Sequence, residues 1–368
     1  MKEIYFDNAS TALPEYQCSE GHFGNPSTTH FLGMKAYTAL NEAKKVICQI
    51  LGCENDELVL TSGGTESNNL AIIGYACAHK RNNVCFASFP WAHPSVTHAI
   101  KQVSFLGFGR VSTLKSSNFD ETWLSVGANF ISIPQICHET GDKYDVEKIA
   151  YRLKQLNPKN IVHIDGVQGF CKEKLNLKNI DLYSLSGHKI HGPGGTGGLF
   201  VKKGVRLLAL LYGGGQEMGL RAGTPNTHGA VSLAAAAKKL NDSLDANWTT
   251  VSEVKAELLK LVDEVDDVYV NSFSESSPYV LNLSFIGAKG EVLVNMLSEK
   301  GVYVSTGAAC KVSKKDIPAL VLMGLDKKRA DSAVRFSFSH YNTTSEAILV
   351  RKAVIDCVLE LRNIRRQV

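Results

Sequence analysis

Stretches of strand period and helix period alternate along most of this chain. The run 57–61, Glu-Leu-Val-Leu-Thr, reads as a buried strand. The Gly63-Gly64 turn follows, and 65–78 repeats apolar residues at helical spacing. Further strands are expected over 84–88, 130–133, 161–165, 182–186 and 198–201, separated by helical stretches such as 146–156. Strands that alternate with helices in this way predict an α/β fold with a mostly parallel sheet covered by helices. Helical segments near 230–244 and 252–265 then lead to a second region. It holds a strand over 279–285, a helix over 291–300, strands over 302–305 and 334–338, and a long final helix from about Ser345. No internal repeat or low-complexity linker interrupts the chain.

A length of 368 residues with 44% hydrophobic content suits two domains, or one large domain with an appendage. The net charge of +4 is only mildly basic, and the Arg362-Asn363-Ile364-Arg365-Arg366 run reads as a solvated helix end; no nucleic-acid motif accompanies it. No apolar run reaches the ~20 residues of a membrane span, and the first residues lack a signal-peptide core, so a cytoplasmic protein is expected. Nine cysteines without a C-x-x-C pair argue against a disulfide framework and against a structural metal site. Cys48, Cys77 and Cys357 fall in apolar helical patterns and Cys85 in an apolar strand, where packing is the default role. Cys310 differs: it sits between small residues and a lysine-rich run, a setting that favours a reactive thiolate.

The chemistry concentrates at Ser184-Leu185-Ser186-Gly187-His188-Lys189, with Gly192 to Gly198 just after it and Asp165 and Gln168 one strand upstream. A lysine able to bond an aldehyde, a carboxylate to hold a pyridine nitrogen protonated, and Ser, His and Gly donors beside the lysine are what pyridoxal phosphate requires. The Ser62-Gly63-Gly64-Thr65 turn, between strand and helix, would offer free backbone N–H groups to its phosphate. Gln168 could donate to a phenolate oxygen, and His93, placed after a strand, could stack on a pyridine face.

These segments, in order, resemble the NifS/IscS-type cysteine desulfurases. The resemblance is carried by Asp7-Asn8-Ala9-Ser10-Thr11, Gly24-Asn25-Pro26-Ser27, Thr61 to Asn69, His163 to Gln168, Ser186 to Lys189, Gly213 to Glu217, Leu220 to Thr224 and Val334 to Ser337. It runs nearly end to end. The fold it implies is the fold-type I pyridoxal-phosphate transferase of the class V aminotransferases. In that fold a large domain, here 15–245, holds a mostly parallel seven-stranded sheet flanked by helices. A smaller α+β domain, here 1–14 with 246–368, carries the catalytic cysteine.

The resemblance also implies roles. Lys189 would bond the cofactor and shuttle the substrate's α-proton, Asp165 would pair the pyridine nitrogen, Gln168 would meet the phenolate and His93 would stack on the ring. Gly64, Thr65, Ser186 and His188 would hold the phosphate, and Thr224 would reach the phosphate of a neighbouring subunit in a homodimer. Arg335 would clamp the substrate carboxylate, a task suited to its planar fork. Cys310 matches the catalytic cysteine, which would take sulfur from L-cysteine as a persulfide, leave L-alanine, and pass the sulfur to an acceptor protein for tRNA thiolation or Fe–S assembly.

Three positions depart from the family pattern. His138, in Cys137-His138-Glu139-Thr140-Gly141, stands where an asparagine usually contacts cofactor and substrate; Met218 replaces a common arginine; and the segment between Pro14 and Gly24 is short. Two other readings stay open at this level: a related C–S or C–Se lyase or aminotransferase in which Cys310 is dispensable, and a weakly active cofactor-binding scaffold. No metal is expected in any of them.

Overall fold

The structure, a computed structural model, describes residues 3–15, 23–114, 127–272, 275–306 and 318–367. The chain divides into two compact units, Leu13–Gln135 with Tyr144–Asp242, and Met1–Ala12 with Ile136–Lys143 and Ser243–Val368.

The larger unit is built on a seven-stranded sheet. Its strands run in the order Leu58–Thr61, Gly197–Val201, Leu182–Ser186, Ile161–Asp165, Phe130–Pro134, Cys85–Ser88 and Arg110–Thr113. The last five are mutually parallel, whereas Gly197–Val201 runs antiparallel to both of its neighbours. Burial follows topology: the central strands are apolar and buried on both faces, as helix-covered parallel sheets require. Arg110–Thr113 has no counterpart among the strands the sequence suggested. It is a mostly exposed edge strand without an apolar signature.

The helices Phe31–Leu51 and Thr227–Asp242 of this unit pack against each other. Phe31–Leu51 buries Ala36, Ala39, Leu40, Ala43, Ile47 and Leu51 along one stripe. Its ends are marked by His30, whose ring accepts from the Gly33 N–H at 3.1 Å, and by Gly52, which takes the left-handed conformation at φ 71°. The helix faces Thr227–Asp242, whose buried positions are mostly small (Gly229, Ala230, Ser232, Ala234, Ala236 and Ala237 among them), so the two backbones approach closely.

The smaller unit centres on an antiparallel sheet in which Val280–Phe285 lies between Ala333–Ser337 and Val268–Val270. The final helix, Thr344–Gln367, closes the core by burying Ala347, Val350, Val354, Cys357 and Val358. Phe6 and Phe338 meet edge-to-face at 5.2 Å in the same core. Arg362 is not simply solvated: its guanidinium donates to the carbonyls of Ile286 and Asp266, at 3.0 and 2.8 Å.

The segment Ile136–Lys143, which the sequence reading set inside the larger domain, clusters with the smaller unit. Its backbone bonds explain this: Asp142 bridges Ser276, and Asn282 Nδ2 donates to the Glu139 carbonyl at 3.0 Å. Among the described residues no helix is long and apolar enough to cross a membrane.

Candidate active site

Sheet register assembles the site in the larger unit. Gly197 pairs with Thr61 on one side and with Ser186 on the other. A Cβ on Gly197 would stand 2.6 Å from Gly63 Cα, so only glycine lets the turn after Thr61 settle over the neighbouring strand. Gly64 is equally confined, because its Cβ would meet Val167 Cγ2 at 2.4 Å. The sequence places Gly63-Gly64 at the mouth of the helix that starts at Gly64, where the first-turn N–H groups have no partner within the helix. Glu66 staples the turn by accepting the Ser62 N–H at 2.7 Å and the Arg221 Nε–H at 3.0 Å. Thr65 lies exposed at the turn.

Ser186 faces this turn from the end of its strand. Its Oγ is buried without a hydrogen-bond partner among the described residues, 3.8 Å from where a Cβ on Gly63 would lie. A buried hydroxyl left with its donor unused fits an anionic oxygen delivered by a ligand. The short turn Gly187–Lys189 follows directly and brings two of the predicted residues, His188 and Lys189, beside it. Burial pushes the His188 imidazole down to about 4, with Lys189 and Lys172 adding to the effect. Lys172, itself driven down to about 7 by burial and then by Lys189, reaches Gln168 Oε1 at 3.5 Å. At neutral pH the His188 imidazole is therefore uncharged and Lys172 only partly protonated; an anion beside them would favour the charged form of both.

Asp165 ends the parallel strand Ile161–Asp165, at the carboxyl edge where such sheets bind ligands. It is buried, and both its oxygens are engaged: Oδ1 accepts from the Val167 N–H at 3.1 Å and Oδ2 from Asn68 Nδ2 at 3.0 Å. Asn68 also donates to Ser95 Oγ at 2.9 Å. The Ser95 N–H donates to His93 Nδ1 at 3.2 Å, which makes that nitrogen an acceptor, so the Ser95 hydroxyl 2.7 Å away donates to it as well. Two donors aimed at Nδ1 place the ring proton on Nε2. Burial lowers the His93 pKa further than the opposing charge of Asp165 raises it, so the ring is neutral. Asn68, Ser95 and Lys172 were not singled out by sequence reasoning. Asn68 lies inside the quoted Thr61 to Asn69 motif, but nothing in its residue type says that it bridges two strand ends.

Thr224 is exposed in the loop before the helix Thr227–Asp242, and among the described residues no hydrogen bond joins its side chain to those above. Near it, Glu217 and Met218 both adopt left-handed backbone, at φ 47° and 58°. Glu217 is tied down by Lys44 at 3.0 Å and by the Leu60 N–H at 2.8 Å.

The smaller unit holds Arg335, only 4% exposed, on the strand Ala333–Ser337. Its Nη1 donates to the His138 carbonyl at 2.8 Å, and its Nη2 donates to Ser10 Oγ at 2.8 Å and to Asp7 Oδ1 at 3.2 Å. Its Nε is buried with no partner among the described residues, which leaves that N–H for an incoming acceptor. His138 Nε2 lies 3.4 Å from Glu139 Oε1. Burial pushes the Glu139 carboxyl up to about 7, against the pull of Arg335. Cys310 lies outside the described residues.

A seven-stranded, mostly parallel sheet, a Gly-Gly turn facing a serine hydroxyl with no partner among the described residues, a strand-end aspartate and a lysine on the turn after the next strand together define the fold-type I pyridoxal-phosphate class. The chain belongs to the aminotransferase class-V family, whose sequence model matches residues 4–349. It is 35% identical over 387 residues to the putative cysteine desulfurase IscS 1 of Bacillus subtilis, covering 98% of this chain and 100% of that protein. The cysteine desulfurase IscS of Buchnera aphidicola is 32% identical over 382 residues, covering 98% of this chain and 93% of its own. Among solved structures, a NifS-like protein superposes with a TM-score of 0.88 at 28% identity over 100% of both chains. SspA in complex with cysteine superposes at 0.80 with 27% identity, over 93% of this chain and 100% of that one.

Proposed function

We infer that this protein is a pyridoxal-5′-phosphate-dependent cysteine desulfurase that converts L-cysteine to L-alanine and passes the sulfur to a protein thiol. The observation that carries the reading is the meeting of Lys189, the unpartnered Ser186 hydroxyl and a fully engaged Asp165 at one sheet edge, in a chain related over nearly its whole length to cysteine desulfurases.

When bound, pyridoxal phosphate supplies an aldehyde that captures the substrate amine and a ring that withdraws electrons from the α-carbon. The chain's residues do the rest. Lys189 Nζ would hold the cofactor at rest and carry the substrate's α-proton. The Asp165 carboxylate, held by Asn68 and the Val167 N–H, would pair the pyridine nitrogen and keep it protonated. Gln168 donates its amide to the phenolate oxygen, because Lys172 occupies its carbonyl. His93, neutral and fixed by Ser95, stacks on the ring. Gly64, Thr65, Ser186 and His188 hold the phosphate, and Thr224 of a second copy completes that shell in a homodimer. Arg335 receives the substrate carboxylate beside His138. The Cys310 thiolate bonds the substrate sulfur as the C–S bond breaks; the electron pair of that bond stays on the carbon fragment, which takes a proton and leaves as alanine. The persulfide's outer sulfur then goes to an acceptor protein serving Fe–S assembly or tRNA thiolation, in the cytoplasm; the relatives' names support the desulfurase activity itself.

The test incubates the cofactor-loaded protein with L-cysteine and a reductant, measures sulfide and alanine together, and runs Cys310→Ala alongside. Equimolar products, lost in the variant, support desulfuration through a Cys310 persulfide. No alanine despite the bound-cofactor absorbance would refute it.

A further inference from the structure

The helix Phe31–Leu51 ends on a pair of cysteines that the proposed reaction does not use. Cys48 lies in its last turn and Cys53 directly after the capping Gly52. Both Gly52 N–H and Cys53 N–H donate to the Cys48 carbonyl, the latter at 3.0 Å, with Gly52 in left-handed backbone at φ 71° and ψ 40°. This is the Schellman arrangement, in which the residue after the left-handed one folds back onto the residue five positions earlier, and their side chains meet. In this chain both positions are thiols that perturb each other's ionisation, and Cys48 Sγ donates to the carbonyl of Glu54, the residue after Cys53, at 3.4 Å. Cys48 is buried, Cys53 is partly exposed, and neither is in a disulfide.

We propose that Cys48 and Cys53 form a reversible disulfide across the C-terminus of this helix when the protein meets a hydroperoxide. The surroundings assign the roles. The Cys53 side chain, and then Lys44 one turn back on the same helix, draw the Cys48 thiol below its ordinary value against its burial and the charges of Glu57 and Glu54. Cys53 is pushed up by the Cys48 side chain, with burial and the same two carboxylates adding to the rise. The Cys48 thiolate is therefore the nucleophile and Cys53 the resolving thiol.

Cys48 Sγ attacks the O–O bond of the hydroperoxide, becomes a sulfenic acid and releases hydroxide or the corresponding alcohol. Cys53 Sγ then attacks the sulfenic sulfur and expels its hydroxyl as water. With hydrogen peroxide the balance is two thiols and one peroxide giving one disulfide and two waters, with two electrons passed to the peroxide. Thiol reductants reverse it. The bond would fasten the helix end to the stretch that enters the strand Leu58–Thr61, which carries the phosphate-binding turn. That makes the pair a redox-modification site on the cofactor side of the protein.

The test uses the full chain, reduced, freed of reductant, treated with stoichiometric hydrogen peroxide and alkylated. Digestion with trypsin and a glutamate-specific protease isolates 46–54, which holds Cys48 and Cys53 without Cys77. The expected product is this peptide lighter by two hydrogens and closed to alkylation, with both labels regained after reduction. In Cys53→Ser, dimedone should tag Cys48. Full alkylation of both thiols after peroxide overturns the proposal, as do sulfinic acid in place of the disulfide, pairing with another cysteine, or no tag on Cys48.

Discussion

Asn68 is the most instructive residue to perturb, because its one amide nitrogen joins the strand end at Asp165 to the helix cap at His93 through Ser95. Asn68→Ala removes a hydrogen bond to a carboxylate, worth about 1.5–3 kcal/mol, and one to a hydroxyl, worth about 0.5–1.5 kcal/mol. It also removes the buried Asn68 Oδ1, which has no partner among the described residues, and so returns about 1–2 kcal/mol. The net expectation is a loss of about 2 kcal/mol, the centre of a range of roughly 0–3.5 kcal/mol. Asn68→Asp keeps the volume but sets a second carboxylate where the amide nitrogen lies 3.0 Å from Asp165 Oδ2. At an effective dielectric of about 20, two charges that close repel by about 5 kcal/mol. The aspartate variant should therefore be less stable than the alanine variant at neutral pH, and its deficit should shrink as acid supplies a proton to the pair. Urea unfolding of the cofactor-free variants at several pH values, with m unchanged, reads both effects. Asn68→Asp at least as stable as Asn68→Ala at pH 7 would refute the bridging role.

Three further outcomes are expected. His163, buried between the Ser132 and Ser184 hydroxyls at 2.8 and 3.0 Å, is driven down to about 3 by burial, so the unfolded chain binds its proton first on acidification. Its contribution is complete above about pH 6.5 and is lost toward pH 3 at up to ~1.4 kcal/mol per pH unit, a slope that His163→Gln should remove from denaturant titrations. Gly166→Ala would set a Cβ 1.9 Å from Cζ of the fully buried Tyr183, and should cost about 3 kcal/mol or more and weaken cofactor retention, measured by dialysis and absorbance. Arg335→Lys cannot span the His138 carbonyl, Ser10 and Asp7 while also meeting a carboxylate; KM for cysteine should rise roughly tenfold or more with a smaller change in kcat, and an unchanged KM would remove Arg335 from substrate binding.

Much of this molecule is written locally. The strands 161–165 and 182–186 were legible because a short apolar run bounded by turn residues is a local property, and the structure returns the same bounds. Lys189, Asp165 and Ser186 stood out because their residue types and spacing are those a pyridoxal cofactor needs. The edge strand Arg110–Thr113 was not legible, since three of its four residues are exposed and only pairing with Cys85–Ser88 makes it a strand. The 21-residue helix Phe31–Leu51 was not named either, although its alanine-rich stripe and Gly52 cap were there to be read.

What tertiary structure alone decided is which groups meet. Sequence cannot say that Asn68 donates to Asp165 across 97 positions, because a side chain's partner is fixed by strand order and register, not by its neighbours in the chain. Nor can it say that Arg335 spends its fork on Asp7 and Ser10, more than three hundred residues away. Local composition sets what each segment can become and what chemistry each side chain can do. The long-range closure of the sheet sets which of those chemistries share one site, since only packing brings distant donors within the ~3 Å at which hydrogen bonds act.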